Sequence, residues 1–277
     1  MNMKGDNTMY YNPYLYITVF LSIVLCYFGF KLSKIFSASK YSTIIGILLL
    51  ILCVPGFLTI SFEAIPFITH CFYIEYRSIE GIEVSTAVFP LLFGYIVFLK
   101  PKPDKIRWGI LGKYVLLMSF IMVMSPYIFS LMFPVGLKYK LEERWVGDVC
   151  LQTSDATCVP AALASIFKYY GINKGEKEIA KAVYTSLLGT EDCYMVRYAR
   201  KNGLTVEIYE NMKAEELPVP SIITVKYNNI WHAVTVLGKK DNNLIIGDPL
   251  AGRTSYTYKG IVEEYKFNGE VYYFSRK

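Results

Sequence analysis

The sequence predicts two modules in one chain: an all-α transmembrane region, then an α+β domain built around an antiparallel sheet. Three observations lead there. Within the first 137 residues, four stretches carry no Asp, Glu, Lys or Arg. From Lys138 to Lys277, charged and apolar residues mix as they do in a water-soluble domain. Within that second part, helical periodicity gives way after Gly203 to short β-rich runs, and helices followed by strands read as α+β. A chain of 277 residues has room for both modules, 1–137 and 138–277.

The uncharged stretches are Tyr14–Phe30, Ser42–Phe62, Val84–Leu99 and Tyr114–Leu137, of 17, 21, 16 and 24 residues. A helix needs about 20 apolar residues to cross a bilayer core. The third reaches that length only by taking in Ile82 and Glu83, so the expected helices are 14–30, 42–62, 82–99 and 114–137. The first is too long for a signal-peptide core, and Lys31 and Lys34 follow it in place of a small-residue cleavage site. A softer segment, Ala64–Ile74, is too short to cross and reads as interfacial or as the end of the second helix.

Loop charge sets the expected orientation. Lys31, Lys34 and Lys40 follow the first stretch, and Lys100, Lys102, Lys105 and Arg107 follow the third. Between the second and third lie only Arg77 and four glutamates, Glu63, Glu75, Glu80 and Glu83. The positive-inside rule places the first and third loops in the cytoplasm, so four crossings leave the C-terminal domain outside the cell in a multi-pass cell-membrane protein. The second module carries 19 basic and 17 acidic residues, leaving 10 and 6 to the first 137. The basic balance thus lies beside apolar segments, a topology signal that excludes a nucleic-acid-binding face.

The second module opens with a helix signal. Asp155-Ala156-Thr157-Cys158-Val159-Pro160 leads into AALASIFKYY and Gly171. Asp155 or Thr157 suits the N-cap, Pro160 the first turn, and Gly171 the position past the end. Cys158 then sits at a helix N-terminus, where unpaired N–H groups and the macrodipole favour a thiolate. Lys174–Thr185 and Asp192–Lys201 read as further helices. TVEIYE, SIITVKY, HAVTVLG, LIIGDP and EVYYFSR read as strands, with KKDNN as a hairpin loop pairing the third and fourth.

The chain has two histidines, and His232 opens one of the paired strands while Asp248 closes its neighbour. If the hairpin forms, the two meet at one edge of the sheet, the carboxylate orienting the imidazole. A thiol on a helix N-terminus facing that edge completes a Cys–His–Asp nucleophilic set. Gln152, six residues before the cysteine, is spaced to donate to a developing oxyanion.

QTSDATCVPAALASIFKYYG, followed by WHAVTVLG and IIGDPLAG, resembles the bacteriocin-processing (double-glycine leader) cysteine peptidase family, a papain-like group. Gln152, Cys158, His232 and Asp248 match its motif positions one by one. The resemblance spans about Cys150 to the C-terminus. It implies a papain-like fold, a peptide or protein substrate cut after small residues such as Gly-Gly, no cofactor or metal, and a separate exporter as partner. Two features depart from the family pattern: Val159 stands where the family usually has Gly, and no P-loop motif occurs in the chain. Val159 leaves open a second reading, an inactive peptidase-like domain that binds peptides as an accessory or sensor of export. Cys150 and Cys193 fit either a disulfide, if the domain lies outside the cell, or two unrelated buried thiols. Adjacent His70 and Cys71 lack metal-ligand spacing.

Overall fold

The computed structural model describes residues 10–37, 39–60, 68–99, 105–227 and 230–277. The chain divides into two compact units, Asn12–Ile128 and Phe129–Lys277, the second also holding Tyr10 and Tyr11. The division falls earlier than the expected boundary after Leu137. Backbone bonds explain the shift: Leu187 N donates to Phe133 O (2.7 Å) and Val135 N to Thr185 O (3.1 Å), tying 133–135 to the second unit.

The first unit begins with α1 (Tyr14–Phe36), the one described helix long and apolar enough by itself to cross a membrane. The second uncharged stretch forms α2 (Ser42–Leu52) and α3 (Val54–Ile60), bent by 41°. Pro55 lacks the N–H a continuous helix would use there, and that accounts for the break. Then come α4 (His70–Arg77), a 3₁₀ turn over Ile82–Val88 and α5 (Phe89–Phe98). Ile82–Phe98 runs as one segment, at 88° to α4. Counting each bent pair as one span gives up to three candidate crossings by length and composition. Helices α1 and α5 cross closely because both contacts use glycine. A Cβ on Gly29 would lie 2.2 Å from Leu91 O, and one on Gly94 would lie 2.7 Å from Cys26 O.

One expectation for this unit needs correction. The fourth stretch is not one helix over 114–137. Instead α6 (Lys105–Met124) starts upstream and stops before Pro126, and α7 (Ile128–Met132) and a 3₁₀ turn at Val135–Leu137 follow. Pro126 disfavours helical geometry at Ser125 and supplies no donor, so an uncharged run did not mean a continuous helix. The acidic loop is partly buried. Arg77 is buried, its Nη1 donating to Thr59 O (2.8 Å) and Tyr73 Oη (3.0 Å), and Glu83 is fully buried. Glu63, residues 61 and 62 at the end of the second stretch, residues 64–67 of the softer segment, Lys100, Lys102 and the side chains of Lys105 and Arg107 lie outside the described residues.

The second unit is α+β. A hairpin of β1 (Arg144–Val146) and β2 (Val149–Leu151) precedes three helices, α8 (Cys158–Tyr169), α9 (Glu176–Ala182) and α10 (Asp192–Lys201). Six strands follow: β3 (Leu204–Tyr209), β4 (Ser221–Tyr227), β5 (Ile230–Lys240), β6 (Asn243–Asp248), β7 (Gly252–Thr257) and, after the short helix α11 (Tyr258–Glu263), β8 (Val271–Arg276). They form one antiparallel sheet in the order β3-β8-β4-β5-β6-β7. Ile223, Val225, Val234, Val236, Leu244 and Ile246 supply one apolar core, closed by Ile261 and Leu217. Helix α8 is buried from Pro160 through Phe167 and packs against β5 and β2. It ends as the sequence suggests: Gly171 adopts φ 70°, its N–H bonds to Lys168 O, and Ile172 N bonds to Phe167 O, a Schellman closure.

Candidate active site

Cys158 is the first residue of α8, half-buried. Thr157 occupies the N-cap, but no side chain caps the helix. The Thr157 hydroxyl instead bonds back to Ser154, donating to its O (2.9 Å) and accepting from its N (3.0 Å), and Asp155 is exposed. The start of the helix therefore keeps its N–H groups and dipole for whatever charge develops at Cys158.

His232 lies near the start of β5, 6% exposed, and Asp248 ends β6, 3% exposed. His232 Nε2 and Asp248 Oδ1 are 2.8 Å apart. Asp248 Oδ1 also accepts the Leu250 N–H (2.8 Å), which holds the carboxylate in place. Cys158 lies beside the same imidazole and acts on it as a charged, hydrogen-bonding neighbour. Burial by itself would lower the His232 pKa. Its bonds to Asp248 and Cys158 and their negative charge outweigh that and raise it to about 9.

The two strand residues meet because of an irregularity. A two-residue turn joins Lys240 to Asn243, and a regular ladder from there would set Asp248 opposite Thr235, on the face away from His232. The register instead slips between Val236 and Gly238, a bulge at Leu237, after which Val236 pairs with Ile246 and Thr235 with Gly247. Continued one step, Asp248 falls opposite Val234, so Leu244, Ile246 and Asp248 share a face with His232, Val234 and Val236.

Gln152 is buried in the loop before Cys158. Its backbone N donates to Pro249 O (2.9 Å), linking this loop to the turn after Asp248. Its Nε2 donates to Ser154 O (2.9 Å) and carries a second N–H, while Oε1 has no hydrogen-bond partner among the described residues. The four sequence-selected residues thus lie on three segments joined by direct bonds. The disulfide considered for Cys150 and Cys193 is not formed. Both are buried thiols outside any disulfide, Cys150 beside Leu151 O on β2 and Cys193 beside Glu191 on α10. Burial, with some help from Glu176, pushes Cys150 up to about 12, which makes it an inert thiol.

One residue escaped the sequence reading. Glu176, at the start of α9, is fully buried and binds Thr153 in the loop between Gln152 and Cys158. No motif marks it; an acidic residue in a first helical turn ordinarily faces solvent and complements the dipole. Ile230, two residues before His232, and Leu250, two residues after Asp248, are exposed apolar residues.

An α+β domain that sets a helix-terminal thiol beside a strand-borne His–Asp pair is of the cysteine peptidase kind. Residues 147–276 match the model of the Peptidase C39 family. An uncharacterized protein of Methanothermobacter thermautotrophicus is 29% identical over 128 residues, 46% of this chain and 88% of its own length. PedD of Pediococcus acidilactici, a pediocin PA-1 transport/processing ATP-binding protein, is 31% identical over 112 residues, 39% of this chain and 16% of that protein. The peptidase domain of Streptococcus ComA, a bifunctional ABC transporter involved in quorum sensing, is 26% identical, with 50% of this chain and 99% of that domain covered at a TM-score of 0.41.

Proposed function

We propose that the chain is a membrane-anchored cysteine peptidase that hydrolyses peptide bonds, with leader or bacteriocin-like peptides as substrates. The observation that carries this reading is the buried His232–Asp248 bond at 2.8 Å with Cys158 on the same imidazole. The Cys158 thiolate attacks the scissile carbonyl carbon. The carbonyl oxygen takes the negative charge and is met by the Cys158 N–H and by Gln152 Nε2. The imidazolium of His232 then protonates the leaving amine as the C–N bond breaks, leaving a thioester. Water adds to the thioester, its proton passing to His232, and the acid and the thiolate are released. Asp248 holds the imidazole throughout. A processing role for PedD, by its name, supports a leader-type substrate here, and exposed Leu250, two residues past Asp248, suits a peptide with apolar side chains.

The unit Asn12–Ile128 serves as the anchor. We read α1, the α2–α3 pair, Ile82–Phe98 and α6 as four crossings. At 20 residues α6 is about 30 Å long, enough for a bilayer core with its basic start at the cytoplasmic interface. The peptidase unit then lies outside the cell, where it meets substrates emerging from a separate exporter. Alkaline phosphatase and green fluorescent protein joined in turn after Lys277 test this: phosphatase activity without fluorescence is expected, and the reverse places the unit inside.

The peptidase reading is tested by iodoacetamide labelling of Cys158 across pH, with His232→Ala as control. Fast labelling well below pH 8 that is lost in the control supports a thiolate–imidazolium pair, whereas labelling that rises only near pH 8.5 in both refutes it. Half-buried Val159 beside the thiol favours the second reading, an inactive peptide-binding domain. Under that reading the wild type shows no turnover and Val159→Gly gains it.

A further inference from the structure

We infer that Glu176 is a positioning residue for the site: its buried carboxylate fixes the loop that carries Gln152 and delivers Cys158. This rests on the peptidase reading above. Oε1 of Glu176 accepts the Thr153 N–H (2.7 Å), and Oε2 accepts the Thr153 hydroxyl (2.5 Å). Thr157 also favours the charged form of Glu176, while its hydroxyl proton goes to Ser154 O (2.9 Å). Thr153 immediately follows Gln152, and Thr157 immediately precedes Cys158. One carboxylate therefore holds the loop at the residue next to the oxyanion donor, five residues before the nucleophile. Arg144 closes the arrangement, attracting Glu176 by charge and donating from Nη2 to Gln152 O (3.0 Å).

Stability alone does not call for this group. A fully buried carboxylate is costly to desolvate, and an apolar residue of similar size often serves a core equally well. A carboxylate's two oxygens accept the N–H and the hydroxyl of Thr153 together, which an apolar residue cannot do. Oxyanion donors act only when aimed to within about 0.5 Å, and losing one costs about 10²–10³ in turnover. A loop free to shift by that much would misplace Gln152 while leaving the Cys158–His232 pair able to ionise.

This separation supplies the test, on the full chain in detergent with a fluorogenic peptide cleaved after Gly-Gly. Glu176→Ala is expected to lower kcat at least ~10-fold with KM within about 2-fold. Iodoacetamide labelling of Cys158, which forms no oxyanion, stays within about 3-fold. In combination with Gln152→Ala the losses do not add, because both remove the same donor geometry. Thr153→Val, which deletes the hydroxyl alone, reproduces the pattern at smaller size and stands in if Glu176→Ala does not fold. Additive losses, unchanged kcat, or a fall in labelling equal to the fall in turnover each overturn the inference while leaving the peptidase reading intact. A wild-type chain with neither turnover nor labelling below pH 8 overturns both.

Discussion

Replacing Asp248 by Asn tests how the site holds its proton. Asn keeps the shape and an oxygen for the Leu250 N–H, but it removes the charge facing His232 Nε2 at 2.8 Å. A histidine pKa raised from 6.5 to about 9, against the opposing pull of burial, corresponds to about 3 kcal/mol favouring the imidazolium. Most of what survives once the thiol is acylated comes from Asp248. The substitution should therefore lower kcat/KM by about 100-fold, the same free energy expressed as a rate. It should also move the alkaline limb of the pH profile, near pH 9 in the wild type, down by about two pH units, because burial then dominates the imidazole. The assay is kcat/KM on the Gly-Gly peptide from pH 5 to 10, for the full chain in detergent. An Asp248→Asn enzyme within about 3-fold of wild type, with its alkaline limb unmoved, would refute the argument that the carboxylate sets the proton affinity of His232.

Three other predictions follow from the same geometry. Because the folded His232 pKa lies above its unfolded value, the stability it confers is fully present below pH 6.5 and is lost as pH rises towards 9. The urea midpoint of the wild type should fall over that interval, and His232→Gln should flatten the fall. Native iodoacetamide treatment at pH 7.5 should modify Cys158 and spare Cys150 and Cys193, read by peptide mass after digestion, and non-reducing gels should show no internal disulfide. Gly247→Ala should destabilise by about 1–3 kcal/mol and reduce activity, measured by urea unfolding and turnover. Its Cβ would lie 2.4 Å from Thr235 Oγ1 and 2.9 Å from Leu237 Cδ1, next to Asp248.

Local chemistry made part of this molecule legible in sequence. Cys158, His232 and Asp248 stand out because each belongs to a residue type and element end that few other roles require. The α8 and α10 helices and five sheet strands announced themselves through periodicity and turn residues. The strand β7, GRTSYT, did not: it is a polar edge strand, half its side chains in solvent, with no apolar run to mark it. Glu176 was hidden for a related reason, since its local context is that of a solvated first-turn residue and only the packing of α9 against the loop buries it. The membrane half was misread where composition stood in for continuity. An uncharged run reports a preference for apolar surroundings, whereas Pro55 and Pro126 decide where a helix can go on.

The bulge at Leu237 turns the sixteen-residue spacing from His232 to Asp248 into a matter of parity. Across a two-residue turn, strand residues separated by an even number of positions lie on opposite faces of a regular hairpin, so the pair can meet only if an odd number of extra residues intervenes. Lengthening both arms together leaves the pair intact. Deleting Leu237 alone reduces the spacing to fifteen, so a regular ladder would still set Asp248 opposite Val234, on the face of His232. Loss of that one residue is thus expected to leave the pair on one face, and adding one matched residue to each arm should likewise be tolerated.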